Sequence, residues 1–268
     1  MEYHYDNFSI LLPVEHMLPQ YQKKHVKYDR FLPHLGSYIE DKATVIDVGA
    51  NCGDTLAGMV EKNPNATYVC IEPDATFFNY LETNIIRMKQ ALKNISVHTV
   101  KTLVGRSVTN VSLEGTGGTK HAVIGENKGG HSSDSLDKIL SELTCPPVRL
   151  LKSDVDGFDY DVIDSAHTLL TSQYPMIFFE CQNDFDYQKR GYEKTISWLK
   201  SIGYNDWTLF DNFGEILLRT KDIQQVFQLM NYVWKQNIKT TTRTIYYWDI
   251  LAITNKDIAL IDEVIQNY

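Results

Sequence analysis

Residues 44–53, TVIDVGANCG, decide the fold. The run from Thr44 to Val48 is apolar apart from Asp47 and ends directly in a glycine loop. Apolar residues that do not alternate with polar ones predict a strand buried on both faces. Glu72-Pro73 follows, with Glu72 nineteen residues past Gly53. This is the layout of a nucleoside-binding site at the mouth of a parallel sheet. The glycines let the backbone turn tightly and approach a ligand, and the acid can accept hydrogen bonds from ribose hydroxyls.

Outward from this stretch the chain alternates strands with amphipathic helices. A helix over 54–62 presents Leu56, Met59 and Val60 on one face and stops at Asn63-Pro64. A strand over 66–72 precedes a helix over 74–92, which carries Phe77, Phe78, Leu81, Ile85, Met88 and Leu92 at helical spacing. A strand over 96–104 completes the first half. The second half reads as helix 135–143, strand 148–154, helix 157–170, strand 176–180, helix 192–202, strand 206–211, helix 221–232 and strand 245–254. Such alternation predicts a mostly parallel sheet with helices on both faces. Residues 1–43 read as an N-terminal extension of irregular structure plus one helix, and residues 44–268 as one domain. Between 105 and 135 the rhythm breaks: seven glycines fall from Gly105 to Gly130. That stretch reads as an insertion, either a hairpin excursion or a mobile loop.

Composition narrows the function. Over 268 residues the net charge is −8 and the pI near 5.5, which argues against non-specific nucleic-acid binding. The first residues lack the basic start and apolar run of a signal peptide, and no segment has the apolar length of a membrane span. Cys52, Cys70, Cys145 and Cys181 form no C-x-x-C pair. They read as reduced thiols of a cytoplasmic protein rather than zinc ligands.

Acids cluster at four strand ends: 47–55, 72–74, 152–159 and 180–186. Ligands of open α/β sheets bind at these ends. The first loop, DVGANCGDT, is neither G-x-G-x-x-G nor a P-loop. Asp54 and Thr55 lie at the helix start, where a pyrophosphate would otherwise meet free amides. An acid there repels a diphosphate and suits a sulfonium or amino group. This favours S-adenosylmethionine over NAD or ATP; the simpler alternative is that Asp54 caps the helix. Glu72 reads as the ribose acid or as a solvated strand end, and Asp74 as a helix cap.

Four motifs in order, DVGANCGDT (47–55), CIEP (70–73), LLKSDVDGFDYDVI (150–163) and IFFE (177–180), resemble the FkbM-type S-adenosylmethionine-dependent methyltransferases. The resemblance spans about residues 44–181. It implies a class I methyltransferase fold: a Rossmann-like three-layer sandwich on a mostly parallel seven-strand sheet whose last strand is antiparallel, closed here by strands 206–211 and 246–253. It implies O-methylation of hydroxyls on sugars, glycolipids or polyketides. Carried over by position, Asp47, Gly49, Ala50, Asn51, Gly53, Asp54 and Thr55 line the methionine end of the cofactor, Glu72 and Pro73 the ribose, and Lys152, Asp154 and Asp156 the transfer centre. Asp156 replaces the family's usual Glu, and Phe158-Asp159 its small residue and Glu.

A hydroxyl acceptor must lose a proton, so Asp154, Asp156 or His131 is a candidate general base. Asp154, Asp156 and Glu180 are alternatively candidate ligands of a divalent cation such as magnesium. Tyr160, Tyr187 and Tyr192 are candidates to stack on a sugar ring. The expected partner is a small-molecule or glycan acceptor, without nucleic acid; the aromatic residues of 1–43 either cover the site or pair with a second copy in a homo-oligomer. Two readings compete: an NAD-dependent dehydrogenase, which Glu72 fits and the first loop does not, and a non-catalytic nucleoside-binding scaffold, which need not keep converging acids.

Overall fold

The computed structural model describes residues 1–106, 132–237 and 245–268, and the backbone of two short strands between the first two spans. In chain order, β1 (Glu2–His4), β2 (Ser9–Leu11), α1 (Leu18–Lys24) and α2 (Phe31–Gly36) lead to β3 (Thr44–Val48), α3 (Asp54–Lys62), β4 (Thr67–Ile71), α4 (Ala75–Ala91) and β5 (Ser96–Val100). Four short strands follow: β6 (Leu103–Val104), β7 (Val111–Glu114), β8 (His121–Ile124) and β9 (Ser133–Asp134). Next come α5 (Leu136–Ser141), β10 (Val148–Ser153), α6 (Asp159–Asp164), α7 (His167–Ser172) and β11 (Met176–Cys181). The chain closes with α8 (Asp186–Ser201), β12 (Tyr204–Asp211), β13 (Ile216–Thr220), α9 (Ile223–Asn237), β14 (Trp248–Thr254) and α10 (Ile258–Gln266).

The main sheet has the order β13-β12-β14-β11-β10-β3-β4-β5. Strands β5, β4, β3, β10 and β11 are parallel, and β14 runs antiparallel to both β11 and β12. All seven expected strands are present. An eighth, β13, extends the edge beyond β12; its half-exposed residues lack the apolar run that marks the inner strands. The helix expected over 157–170 is two, because Ser165 ends the first: its hydroxyl donates to the Val162 carbonyl at 2.7 Å and accepts the Leu136 amide at 3.0 Å. Helix α8 starts at Asp186, six residues before its expected start. Within the glycine-rich stretch β7 and β8 pair antiparallel, as the hairpin reading expects. Among the described residues no helix is long and apolar enough to cross a membrane.

The inner strands are buried on both faces, and their alternate residues feed two cores. Val45, Tyr68, Leu150, Phe178 and Leu251 pack on α3, α4, α10 and the N-terminal segment; Ile46, Val69, Leu151, Phe179 and Ile250 pack on α5 to α9. Residues 1–43 form more than the irregular extension expected. Phe8, Ile10, Leu12, Leu18, Phe31 and Leu35 are all part of the first core, and each buried apolar side chain contributes about 1.5–3 kcal/mol. Asn84 of α4 joins hairpin and loop, accepting the Leu11 amide at 2.7 Å and donating to the carbonyls of Leu11 and Cys52 at 2.9 and 2.8 Å.

The link between α1 and α2 is clamped from three directions. His25 stacks on Phe213 with ring centroids 3.9 Å apart. The Tyr268 hydroxyl lies 3.2 Å from the Lys27 carbonyl and 3.0 Å from that of Gly214. Phe31 is packed against Phe178 and Phe210. Asp29, between these anchors, takes a left-handed conformation with φ 53°.

Candidate active site

The order of the sheet reverses between β3 and β10, and the loops leaving these two strands touch. Gly49 has φ +77°, and a Cβ there would sit 2.0 Å from the Asp154 carbonyl oxygen. Only glycine allows this approach. The Gly49 and Ala50 amides donate to the Ile71 carbonyl at 3.0 and 3.1 Å, and the Asp154 amide to the Val48 carbonyl at 3.1 Å. Three strand ends are thereby joined through backbone alone.

A cleft opens where they meet. Its wall includes Gly49, Asn51, Glu72, Pro73, Phe77 and Asp156. Glu72 is buried, and each of its oxygens accepts a backbone amide: Asn51 at 2.9 Å and Asp74 at 2.8 Å. Burial pushes its carboxyl up to about 7, with the two amides acting against it. Each carboxylate oxygen has a second lone pair, so Glu72 can still accept ribose hydroxyls. Asp74 caps α4 by accepting the amides of Thr76 and Phe77 at 2.9 and 3.1 Å.

The rest of the first loop lies behind or beside this wall. Gly53, at φ 82°, is the N-cap that precedes α3, so Asp54 is not its cap. Asp54 instead stands in the first turn, where a negative charge meets the positive end of the helix. His16 Nε2 is 3.8 Å from Asp54 and Cys52 Sγ is 3.9 Å from it, which ties the N-terminal segment to the loop. Ala50 is buried, and Thr55 is half-buried on α3.

Lys152 was expected to face the transfer centre. It is buried, lies 2.8 Å from Asp47 and 3.6 Å from Asp154, and donates to the Gly49 carbonyl at 3.1 Å. Burial pulls its ammonium down, but Asp47 and Asp154 outweigh that and hold it above its ordinary value. Lys152 therefore braces β3 and β10 from below, with Asp47 as its buried counter-charge.

Asp154 points out of this brace and is half-exposed, at 52%. Asp156 and Gly157 are both left-handed, with φ 52° and 89°, and turn the chain back over the cleft. Burial, then Asp154 and Asp159, push the Asp156 carboxyl up to about 7. Asp159 supports the turn from beneath, accepting Ser153 Oγ at 2.6 Å, Tyr192 Oη at 3.2 Å and the Val155 amide at 3.3 Å. Glu180, at the end of β11, is 5% exposed, and its Oε2 has no hydrogen-bond partner among the described residues. Burial, with Asp154, Asp156, Asp159 and Asp249, raises it well above the usual carboxylate range.

Other expectations separate here. The carboxylates of Asp154, Asp156 and Glu180 do not all come within 4.8 Å of one another; the three potential ligands that do, among the described residues, are His16, Cys52 and Asp54. The magnesium set is therefore not assembled. His131 lies outside the described residues. Tyr160 and Tyr192 are buried and offer no face to a sugar. Tyr187 is 45% exposed and stacks on Phe185 at 5.5 Å, with Phe158 of the cleft wall 6.2 Å from it.

Sequence reasoning missed Asp249. Because β14 is antiparallel, its first residues, not its last, reach the ligand edge, and Asp249 pairs with Glu180. The signal was available in an acid opening an antiparallel strand.

The profile of the FkbM methyltransferase domain matches residues 47–205. The chain belongs to this family. The match covers the cleft, the brace and Glu180, and leaves out Tyr28, Asp29, Tyr247 and Asp249. Among solved structures, the chain is similar to a methyltransferase FkbM from Methylobacillus flagellatus KT, at 13% identity and TM-score 0.47, over 79% of this chain and 43% of that one. It thus spans less than half the length of that protein. It is also similar to the O-methyltransferase from Bacillus cereus in complex with SAH, at 11% identity and TM-score 0.48, over 91% and 84%. A third is cofactor-bound Rv0187 from MTB, at 13% and 0.48, over 84% of this chain and 78% of that one. No curated protein matches the chain in sequence.

Proposed function

We propose that the protein is an S-adenosylmethionine-dependent O-methyltransferase whose acceptor is a sugar hydroxyl in a glycan or its precursor. One observation carries this reading: a single cleft is lined by both Glu72 and Asp156, in a chain of the FkbM methyltransferase family. The cofactor, when bound, supplies a methyl group on a sulfonium. Glu72 accepts the ribose hydroxyls, and the glycine loop gives them room. Asp156, whose carboxyl is pushed up to about 7, is suited to take the acceptor proton near neutral pH. Asp154 orients the acceptor hydroxyl, and Lys152 and Asp159 hold the two carboxylates apart. The exposed pair Phe185 and Tyr187 supports the sugar reading, because aromatic faces pack on the apolar face of a pyranose. Four free thiols, three of them buried, accord with a reducing cytoplasm.

Titration calorimetry with S-adenosylmethionine, S-adenosylhomocysteine and NAD tests the reading on the wild type and on Glu72→Gln. Micromolar binding of both sulfur nucleosides, weakened about tenfold or more in the variant, is expected. Binding of NAD alone would move the assignment to a dehydrogenase, and binding of none of the three to a scaffold.

A further inference from the structure

The start of α8 carries an aromatic surface that continues the wall of the cofactor cleft. Phe185 is 58% and Tyr187 45% exposed, and their rings lie 6° from parallel with centroids 5.5 Å apart. Two offset rings at that angle make one flat apolar surface. Large aromatic side chains that meet each other in solvent, rather than the core, mark a place where something binds. Phe158, which lines the cleft, stands 6.2 Å from Tyr187 at 34°. The rings therefore step from the cleft wall to Tyr187 and on to Phe185.

Buried contacts hold this surface against the turn that carries Asp156. Gln188 is buried, and its Oε1 accepts the Asp184 and Phe185 amides at 2.9 and 3.0 Å. Its Nε2 lies against Gly157, where a Cβ would come within 2.3 Å of it. Gly191, one turn further along α8, lets the helix lie flat on the Tyr160 ring, since a Cβ there would sit 2.6 Å from Cδ2. Rings on so fixed a base lose little conformational freedom when a ligand stacks on them.

What stacks there must have an apolar face and must tolerate acids. Asp184 and Asp186 flank Phe185 in the chain, and Asp154 and Asp156 line the cleft with Phe158. Such surroundings repel the diphosphate of a nucleotide-linked sugar. A neutral pyranose meets both conditions. Its axial C–H bonds offer an apolar face to the rings, and its hydroxyls donate to carboxylates. A sugar on Tyr187 and Phe185 is not the sugar at Asp156, so an acceptor that uses both places is a chain.

We infer that Phe158, Tyr187 and Phe185 form a second sugar subsite beside the transfer centre, and that the acceptor is a neutral oligosaccharide rather than a monosaccharide or a nucleotide-linked sugar. This deepens the methyltransferase reading and rests on it. The subsite binds the sugar next to the methylated one; proton removal remains with the Asp154–Asp156 turn.

The test is methyl transfer by the full chain from tritium-labelled S-adenosylmethionine to a panel of defined neutral oligosaccharides, their monosaccharides, nucleotide-diphosphate sugars and flat phenols. Label should appear on neutral oligosaccharides at least about tenfold above monosaccharides and nucleotide sugars. On the best oligosaccharide, Phe185→Ala and Tyr187→Ala should raise KM about tenfold or more while kcat changes less than about twofold. Tyr187→Phe, which keeps the ring, should keep the wild-type KM. Both side chains are exposed, so the alanine variants should fold, and calorimetry should show their S-adenosylhomocysteine affinity unchanged. Equal or stronger label on monosaccharides or nucleotide sugars, label on phenols alone, or alanine variants with an unchanged KM would each overturn the proposal. So would the absence of label on every acceptor while S-adenosylhomocysteine binds. Failure of S-adenosylhomocysteine itself to bind the wild type would count against the methyltransferase reading instead.

Discussion

Glu72 and Glu180 both end a buried parallel strand, and they are not equivalent. Glu72 has both oxygens occupied by amides of its own and the neighbouring loop. Glu180 keeps an oxygen with no partner among the described residues. The first acid is part of the scaffold that shapes a cleft and can serve a ligand in addition. The second costs folding free energy until something arrives. A satisfied carboxylate and an unsatisfied one on the same sheet edge thus separate what the fold needs from what the function needs.

The comparison breaks most severely if the brace between the two sides is removed. Lys152→Met leaves the Asp47 carboxylate buried without its counter-charge, and stability should fall by about 3–5 kcal/mol. Urea unfolding with an unchanged slope checks this; a loss below about 1 kcal/mol would mean that the pair is not buried as described. Gly49→Ala puts a Cβ 2.0 Å from the Asp154 carbonyl in a left-handed conformation. It should cost about 3 kcal/mol and abolish S-adenosylhomocysteine binding.

Glu180→Gln should do the reverse of these two and stabilise the protein, by about 1–2 kcal/mol near neutral pH. The sign follows from the raised carboxyls. Glu72, Asp156 and Asp159 are each pushed up to about 7, so the folded chain holds protons that the unfolded chain has released. Their contribution is greatest at acidic pH and is lost as the pH rises from the ordinary carboxyl range towards about 7. Glu180 adds to that loss in the same direction. Unfolding midpoints at about pH 5 and about pH 8 should therefore differ less in E180Q than in the wild type. A variant less stable at both values would show that Glu180 has partners already. The smallest effect is expected from Tyr192→Phe, which removes one of three donors to Asp159 at 3.2 Å. About 1 kcal/mol of stability should go, and because the Asp156 turn rests on Asp159, kcat should fall more than KM rises.

The sequence by itself determined the fold class and half of the site. Unalternating apolar runs ending in DVGANCG and CIEP can only be strands buried on both faces, and glycine at 49 admits an approach no other residue allows. The place of Glu72 at a strand end and the cap made by Asp74, both local, were legible for the same reason. The partner of Lys152 was not legible, because its counter-charge is not an aspartate beside it in sequence but Asp47, its register partner where β3 pairs with β10. The magnesium set failed because spacing along a chain does not set the direction of a side chain after two left-handed residues. Only the tertiary structure set Asp249 beside Glu180, since an antiparallel strand pairs their positions across the sheet rather than any local pattern. Local periodicity reports what a residue packs beside, whereas partners across a sheet depend on chain segments far apart in sequence.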